Sequence, residues 1–180
     1  METPIIIGLK VKGKRELPVR KTVIGVMGPG DNAIEIDLHR AYELGQRIAQ
    51  EGWVLLTGGR KAGVMDTASQ GAKAAGGLTI GILPSPNTSN ISEAVDIAIV
   101  TDMGNARNNI NVLSSDVVIA CGMGTGTASE IALALKNGKQ VVLLTDNQDS
   151  QKFFSSLSPE QVFLTTSPEA AIKFIKEVLS

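Results

Sequence analysis

Apolar runs of strand length recur along this chain, and each gives way to a turn and then to a segment with helical character. The runs are Val23 to Met27, Trp53 to Leu56, Leu78 to Leu83, Ile97 to Val100, Val117 to Cys121 and Gln140 to Leu144. Uninterrupted apolar runs too short for a helix are what parallel strands covered on both faces need. Between them, Ile34, Leu38, Ala41, Leu44, Gly45 and Ile48 fall on one helical face that ends near Gly52. Val64 to Ala75 reads as a small-residue helix closed by Gly76 and Gly77, Met103 to Leu113 as a short helix, and Ile131 to Leu135 as a strong helix former. Pro84 to Glu93, rich in Pro, Ser and Asn, reads as a surface loop over the strand ends. The tail adds a short helix at Gln151 to Leu157, an apolar Val162-Phe163-Leu164, and a last helix with Ser167 as N-cap and Pro168 at its first position. Its inward face is Ala171, Phe174, Ile175 and Val178. Strands alternating with amphipathic helices predict an α/β fold, a doubly wound parallel sheet in a single domain over residues 22–180. Residues 1–21, with Lys10, Lys12, Lys14, Arg15, Arg20 and Lys21, read as a basic arm or an edge strand through Ile5 to Val11.

Composition narrows the function classes. Hydrophobic residues at 43% against 19% charged describe a globular chain with a full core. Lys+Arg 17 against Asp+Glu 18 leaves a net charge of -1, and aromatics are only 3%, so neither a phosphate-backbone surface nor a base-stacking platform is expected. A nucleic-acid partner is therefore not expected. The single cysteine cannot form an internal disulfide, which fits a reducing cytoplasm. The apolar stretch Ile5-Ile6-Ile7 is too short for a signal core or a membrane span.

Right-handed crossovers put every strand-to-helix turn on one edge of such a sheet. Gly28-Pro29-Gly30, Thr57 to Arg60, Thr101 to Asn109 and Gly122 to Thr127 then converge at the carboxyl ends of strands, where open α/β sheets bind ligands. The last of these carries the clearest chemistry. A strand ending at Cys121, then Gly122, Gly124 and Gly126 alternating with Met123, Thr125 and Thr127, then a helix, is the recipe for an anion held by first-turn amides. The same residues also read as a capping box, with Thr127 and Glu130 each satisfying a free amide. No Walker lysine follows, and the glycine spacing is not the dinucleotide fingerprint. Arg60, Lys61 and Arg107 are the cations near these turns; Arg107 is favoured for a planar fork that matches phosphate oxygens, and Lys61 reads mainly as a solvated charge. Cys121 reads as a small core residue, and His39 has no partner for a protein zinc site, so no metal ligand is assigned. Asp66 and Asp102 read first as helix caps, with contact to a bound ligand as the alternative.

Three motifs in order carry a resemblance: Thr57-Gly58-Gly59 with Gly63-Val64-Met65-Asp66, then Arg107-Asn108, then Gly122 to Glu130 with its Gly-x-Gly-Thr-x-x-Glu core. From about Thr22 onward the chain resembles the Rossmann family of lonely-guy-type, lysine decarboxylase-like proteins, and within it the molybdenum cofactor carrier branch. That resemblance implies a Rossmann-like sheet, a homo-oligomer (dimer or tetramer), and a glycine-lined phosphate site. It also implies molybdenum cofactor, an anionic pterin, as bound ligand for storage and transfer to molybdoenzyme acceptors. The ligand-binding positions it implies are Gly28, Gly30, Gly58, Gly59, Arg60, Arg107, Asn108, Gly122, Met123, Gly124, Thr125, Gly126, Thr127 and Glu130. The cytokinin-activating branch instead hydrolyses nucleoside 5′-monophosphates, with an Arg-Lys pair and the motif glutamate. Arg107 and Glu130 match that pair and glutamate, but Asn108 stands where the lysine would be and Gly122-Met123 replaces Pro-Gly. These departures favour the carrier branch and leave a phosphoribohydrolase, or a module that senses nucleotides without chemistry, as the alternatives.

Overall fold

The computed structural model describes residues 20–180; the basic arm expected over residues 1–21 lies almost wholly outside them. Seven strands form one all-parallel sheet. They are β1 (Val23–Met27), β2 (Val54–Thr57), β3 (Leu78–Leu83), β4 (Ile97–Val100), β5 (Val117–Cys121), β6 (Gln140–Leu144) and β7 (Val162–Thr165). The helices are α1 (Glu35–Gln50), α2 (Gly63–Ala74), α3 (Asn108–Ser114), α4 (Thr125–Lys136), α5 (Gln148–Leu157) and α6 (Pro168–Leu179). A 3₁₀ turn over Gly104–Arg107 leads into α3, so the helix expected from Met103 to Leu113 is split in two.

Spatial order is β4-β3-β2-β1-β5-β6-β7. The chain winds outward from β1 to β4, crosses back, and winds the other way from β5 to β7, so the switch point lies between β1 and β5. Right-handed crossovers then divide the helices between the faces. One core joins Ile24, Val26, Leu55, Ile119 and Val142 to Leu44 and Ile48 of α1, Ala68 of α2 and Ile175 of α6. The opposite core joins Met27, Leu56, Val118 and Leu143 to Val112 of α3, Ile131 of α4 and Phe154 of α5. Burial of such side chains contributes about 1.5 to 3 kcal/mol each, and the five residues of β5 are all buried because both layers cover them. Gly45 and Gly71 matter for the packing of α1 on α2. A Cβ on either would run into the backbone carbonyl oxygen of Ala68 or Tyr42.

Expectations for β4, α1 and α6 change as well. Both faces of β4 are exposed, Ile97, Ile99 and Val100 included, because residues 84–96 connect β3 to β4 without a helix to lay over it. On α1, Ile34 is the N-cap and is exposed, while Asp37 and Arg40 are buried at the amino-terminal end of the inward face. The last helix starts as read, with the Ser167 hydroxyl accepting from the Ala170 amide and Pro168 at the first turn. On its face Ile172 is buried, Phe174 stacks on Phe163, and Val178 is exposed. Among the described residues no helix is long and apolar enough to cross a membrane.

Candidate functional site

A cleft of about 560 Å³ opens at the switch point, over the carboxyl ends of β1, β2 and β5. The turn after β1 contributes Gly28, Pro29, Gly30, Asp31 and Asn32; the turn after β2 contributes Gly58 and Arg60. Asn105, Arg107 and Asn108 close it on one side, and Met123 to Thr127 with Glu130 on the other. Its size is within the range of small-molecule sites, about 300 to 1,000 Å³.

The amino terminus of α4 forms one wall. Gly124 is its N-cap, in extended backbone, and no side chain caps the helix among the described residues. The Gly124 carbonyl accepts from the Ala128 amide at 2.8 Å, which fixes the helical frame so that Thr125, Gly126 and Thr127 are its first three residues. Their amides have no acceptor within the helix and form the positive end of its dipole. That frame overturns the capping box. Thr127 lies inside the first turn with its hydroxyl buried and unpartnered among the described residues, while Glu130 accepts from Asn111 instead of reaching back to the cap. The motif has the right residues three positions too late, since Gly124 takes the extended cap position first.

Arg107 and Glu130 make the floor, with the fully buried Asn111 behind Glu130. Asn111 Nδ2 donates to Glu130 Oε1 at 2.8 Å, and Arg107 Nη1 stands 3.9 Å from the same oxygen, beyond hydrogen-bond reach. Arg107 is 8% exposed and Glu130 6%. Burial holds the Glu130 carboxyl above its ordinary value, against the opposing pull of Asn111 and Arg107. Burial also lowers Arg107, with Glu130 opposing and the neighbouring Arg60 charge adding to the fall. The guanidinium lies against Gly58; a Cβ there would sit on Nη1, 2.7 Å from Nη2 and 2.7 Å from Met65 Sδ. Arg107 Nε is buried with no acceptor among the described residues. The arrangement can therefore take a negatively charged group at the helix terminus and a donor-acceptor group at the floor.

Of the positions expected at the site, Gly59 and Gly122 do not line the cleft. Both have left-handed φ, +73° and +74°, and serve the turns: Gly59 lies on the Gly81 backbone, and Gly122 lies under the Asp37 carboxylate. The remaining ones all line it. Asn108 Nδ2 donates to Ser129 Oγ at 2.9 Å. Lys61 pairs with Glu93 at 2.6 Å outside the cleft, as its solvated reading has it. Cys121 is fully buried, and burial, with Asp37 adding, holds its thiol well above the ordinary range. His39 is exposed on α1, Asp66 accepts from Gln70 on α2, and Asp102 is exposed after β4 with φ 53°. Met27, Asp31, Asn32, Met65, Pro84 and Asn105 also line the cleft, although none was among the expected ligand-binding positions. Asn111 was missed as well. Its spacing from Arg107, one helical turn on, was the available signal.

An open parallel sheet with a glycine-walled cleft at its switch point defines a Rossmann-like ligand-binding protein. Residues 21–172 match the SLOG cluster4 family, and the chain belongs to it. It is similar to the molybdenum cofactor binding protein from the phototrophic bacterium Rippkaea orientalis, with 67% identity and a TM-score of 0.88 over 89% of this chain and 99% of that one. It is also similar to the Moco carrier protein from Chlamydomonas reinhardtii, with 54% identity and a TM-score of 0.83 over 89% of this chain and 98% of that one. A cytokinin riboside 5′-monophosphate phosphoribohydrolase from Mycobacterium tuberculosis is 34% identical over 103 residues, 56% of this chain and 55% of that enzyme.

Proposed function

We propose that this protein binds molybdenum cofactor, holds it, and passes it to acceptor apoenzymes, with the cofactor phosphate on the first-turn amides of α4. The observation that carries the reading is the α4 amino terminus: three amides without helical acceptors border a cleft that also holds Arg60 and Arg107, beside the buried Thr127 hydroxyl, which has no partner among the described residues. A phosphate there gains the helix dipole and two guanidinium charges. The likeness to proteins named for cofactor binding and carriage supports the ligand. The expected homo-oligomer finds support in the bare apolar edge at β4, and a cytoplasmic location in the single buried cysteine. The test is to mix the purified protein with released cofactor and follow pterin and molybdenum through gel filtration. Co-elution at micromolar protein supports the reading; elution of all the pterin at small-molecule volume overturns it.

Arg107 and Glu130 at the floor favour phosphoribohydrolase activity as the second reading, in keeping with the Mycobacterium tuberculosis relative. Chromatography of an AMP incubation decides it. Free base that disappears with Glu130→Gln would place hydrolysis above carriage. A nucleotide-sensing module would show as thermal stabilisation by nucleotides with no base released.

A further inference from the structure

Glu130 and Arg107 are both almost wholly buried, yet they do not hydrogen-bond each other. Arg107 Nη1 is 3.9 Å from Glu130 Oε1. Among the described residues Glu130 has one donor, Asn111 Nδ2, so a carboxylate able to accept about four hydrogen bonds retains most of its capacity. Arg107 Nε is buried without an acceptor among the described residues, and its guanidinium rests on Gly58. Leaving buried polar groups unsatisfied is costly, so both are expected to meet a ligand. What completes them must present hydrogen-bond donors to an anion and, beside those donors, an acceptor to a guanidinium. The terminal phosphate cannot do this, because Glu130 repels it.

We propose that Glu130 and Arg107 together read the 2-amino-4-oxo edge of a pteridine ring: the carboxylate accepts from the ring N3–H and the 2-amino group, and the guanidinium donates to the 4-oxo oxygen. This rests on the cofactor-binding reading above and adds the orientation. The ring goes to the floor and the phosphate to the α4 amino terminus. Both ends meet α4: its first-turn amides take the phosphate, and Glu130, about one turn further on and roughly 4.5 Å along the axis from Thr127, takes the ring. Asn111 acts as a positioning residue. It holds Glu130 Oε1 from beneath, at one helical turn from Arg107, and leaves Oε2 to the ligand. A 2-amino-4-oxo purine offers the same edge, whereas adenine, with an amino group in place of the oxo, places a donor against Arg107. A ribose diol could also touch both groups, and the experiment separates it.

The experiment titrates the whole protein with 6-hydroxymethylpterin phosphate and with its 2,4-dioxo counterpart, in which an oxo acceptor replaces the 2-amino donor, following ring fluorescence. Loss of a hydrogen bond to a buried charge predicts a preference for the amino compound of roughly 10- to 100-fold. Glu130→Gln should erase that preference while inorganic phosphate, relieved of the carboxylate's repulsion, binds no more weakly than to the native protein. The comparison of the two rings on the native protein needs no variant, so a poorly folded variant does not spare the idea. Equal affinity for both rings, with released cofactor still retained, overturns the inference and leaves cofactor binding standing. Ribose 5-phosphate competing with the pterin, and losing affinity in Glu130→Gln, assigns the floor to a diol and also overturns it. Failure to retain the cofactor at all removes both readings.

Discussion

Gly126→Val separates the ligand site from the fold. Gly126 is the second residue of α4, exposed, and a Cβ built on it meets no heavy atom within 4 Å. Its backbone needs no left-handed φ, so a side chain is sterically free in the empty protein. Glycine is among the worst helix formers, and replacing it also removes freedom from the unfolded chain. The substitution should therefore be neutral or stabilising by up to about 1 kcal/mol, a rise in Tm of roughly 2 to 4 °C at this chain length. Binding should respond in the opposite sense. A helical Cβ tilts toward the amino terminus, so the two valine methyls enter the space above the amides of Gly126 and Thr127, where the anion would lie. Hydrogen bonds to a charged group contribute about 1.5 to 3 kcal/mol each, so two lost contacts cost roughly 3 to 6 kcal/mol. That is a fall in affinity of about 10² to 10⁴. Thermal unfolding and cofactor retention on gel filtration measure the two halves. Full retention by the variant, with Tm unchanged, would refute the placement of the phosphate on α4.

Thr127→Val keeps shape and removes a buried hydroxyl that has no partner among the described residues; apo stability should rise by about 1 kcal/mol while cofactor retention falls, and a lower Tm would contradict the orphan assignment. Gly58→Ala places a methyl where the Arg107 guanidinium rests, so affinity for 6-hydroxymethylpterin phosphate should drop by about 10-fold or more as that charge-assisted contact is displaced; unchanged affinity in that titration would show that Arg107 is not a ligand contact. Glu130 holds its proton to higher pH in the folded state than its ordinary 4.5, so its contribution to stability is full below that value and is lost as pH rises through the native pKa. Melting curves of native protein and Glu130→Gln from pH 4 to 8 should therefore diverge in the variant's favour as pH rises; the difference between them isolates Glu130 from Asp37, whose raised carboxyl pulls the same way, and a pH-independent difference would refute the shift. Asn108→Lys restores the residue of the hydrolase branch at the cleft wall; one added charge near a phosphate should tighten phosphate binding by about 5-fold with no base released from AMP, and released base would show that the scaffold lacked only that lysine.

Much of the layout was legible because strand length and glycine turns are local properties. The apolar runs and the turns at their carboxyl ends marked out the sheet, the edge that carries the cleft and most of the residues that line it. What escaped was set by tertiary context. Ile97 to Val100 reads like the buried strands, yet it is exposed because a strand's burial depends on its neighbours' connections, and residues 84–96 bring no helix. The Thr127 to Glu130 box has the composition of a cap, but the cap belongs to whichever residue leaves helical backbone first, here Gly124. Gly58 and Gly59 are adjacent and indistinguishable in sequence. Only the fold turns the first toward Arg107 and the second onto the Gly81 backbone.

The same residues also bear on whether the cleft binds or cleaves. Hydrolysis of a glycosidic bond needs a group that changes protonation at the reacting atom, and its pKa must suit that task. Glu130 is the single buried carboxyl in the lining, and it is held by an amide, Asn111, that offers no onward path for a proton. Asn108, where a second cation would stand, is neutral and bonded to Ser129. The positive elements that remain are backbone amides and guanidinium groups. Both neutralise an anion without giving or taking a proton, in keeping with the proposed carriage, and the protonation of Glu130, whose carboxyl burial holds above its ordinary value, is the property on which the two readings divide.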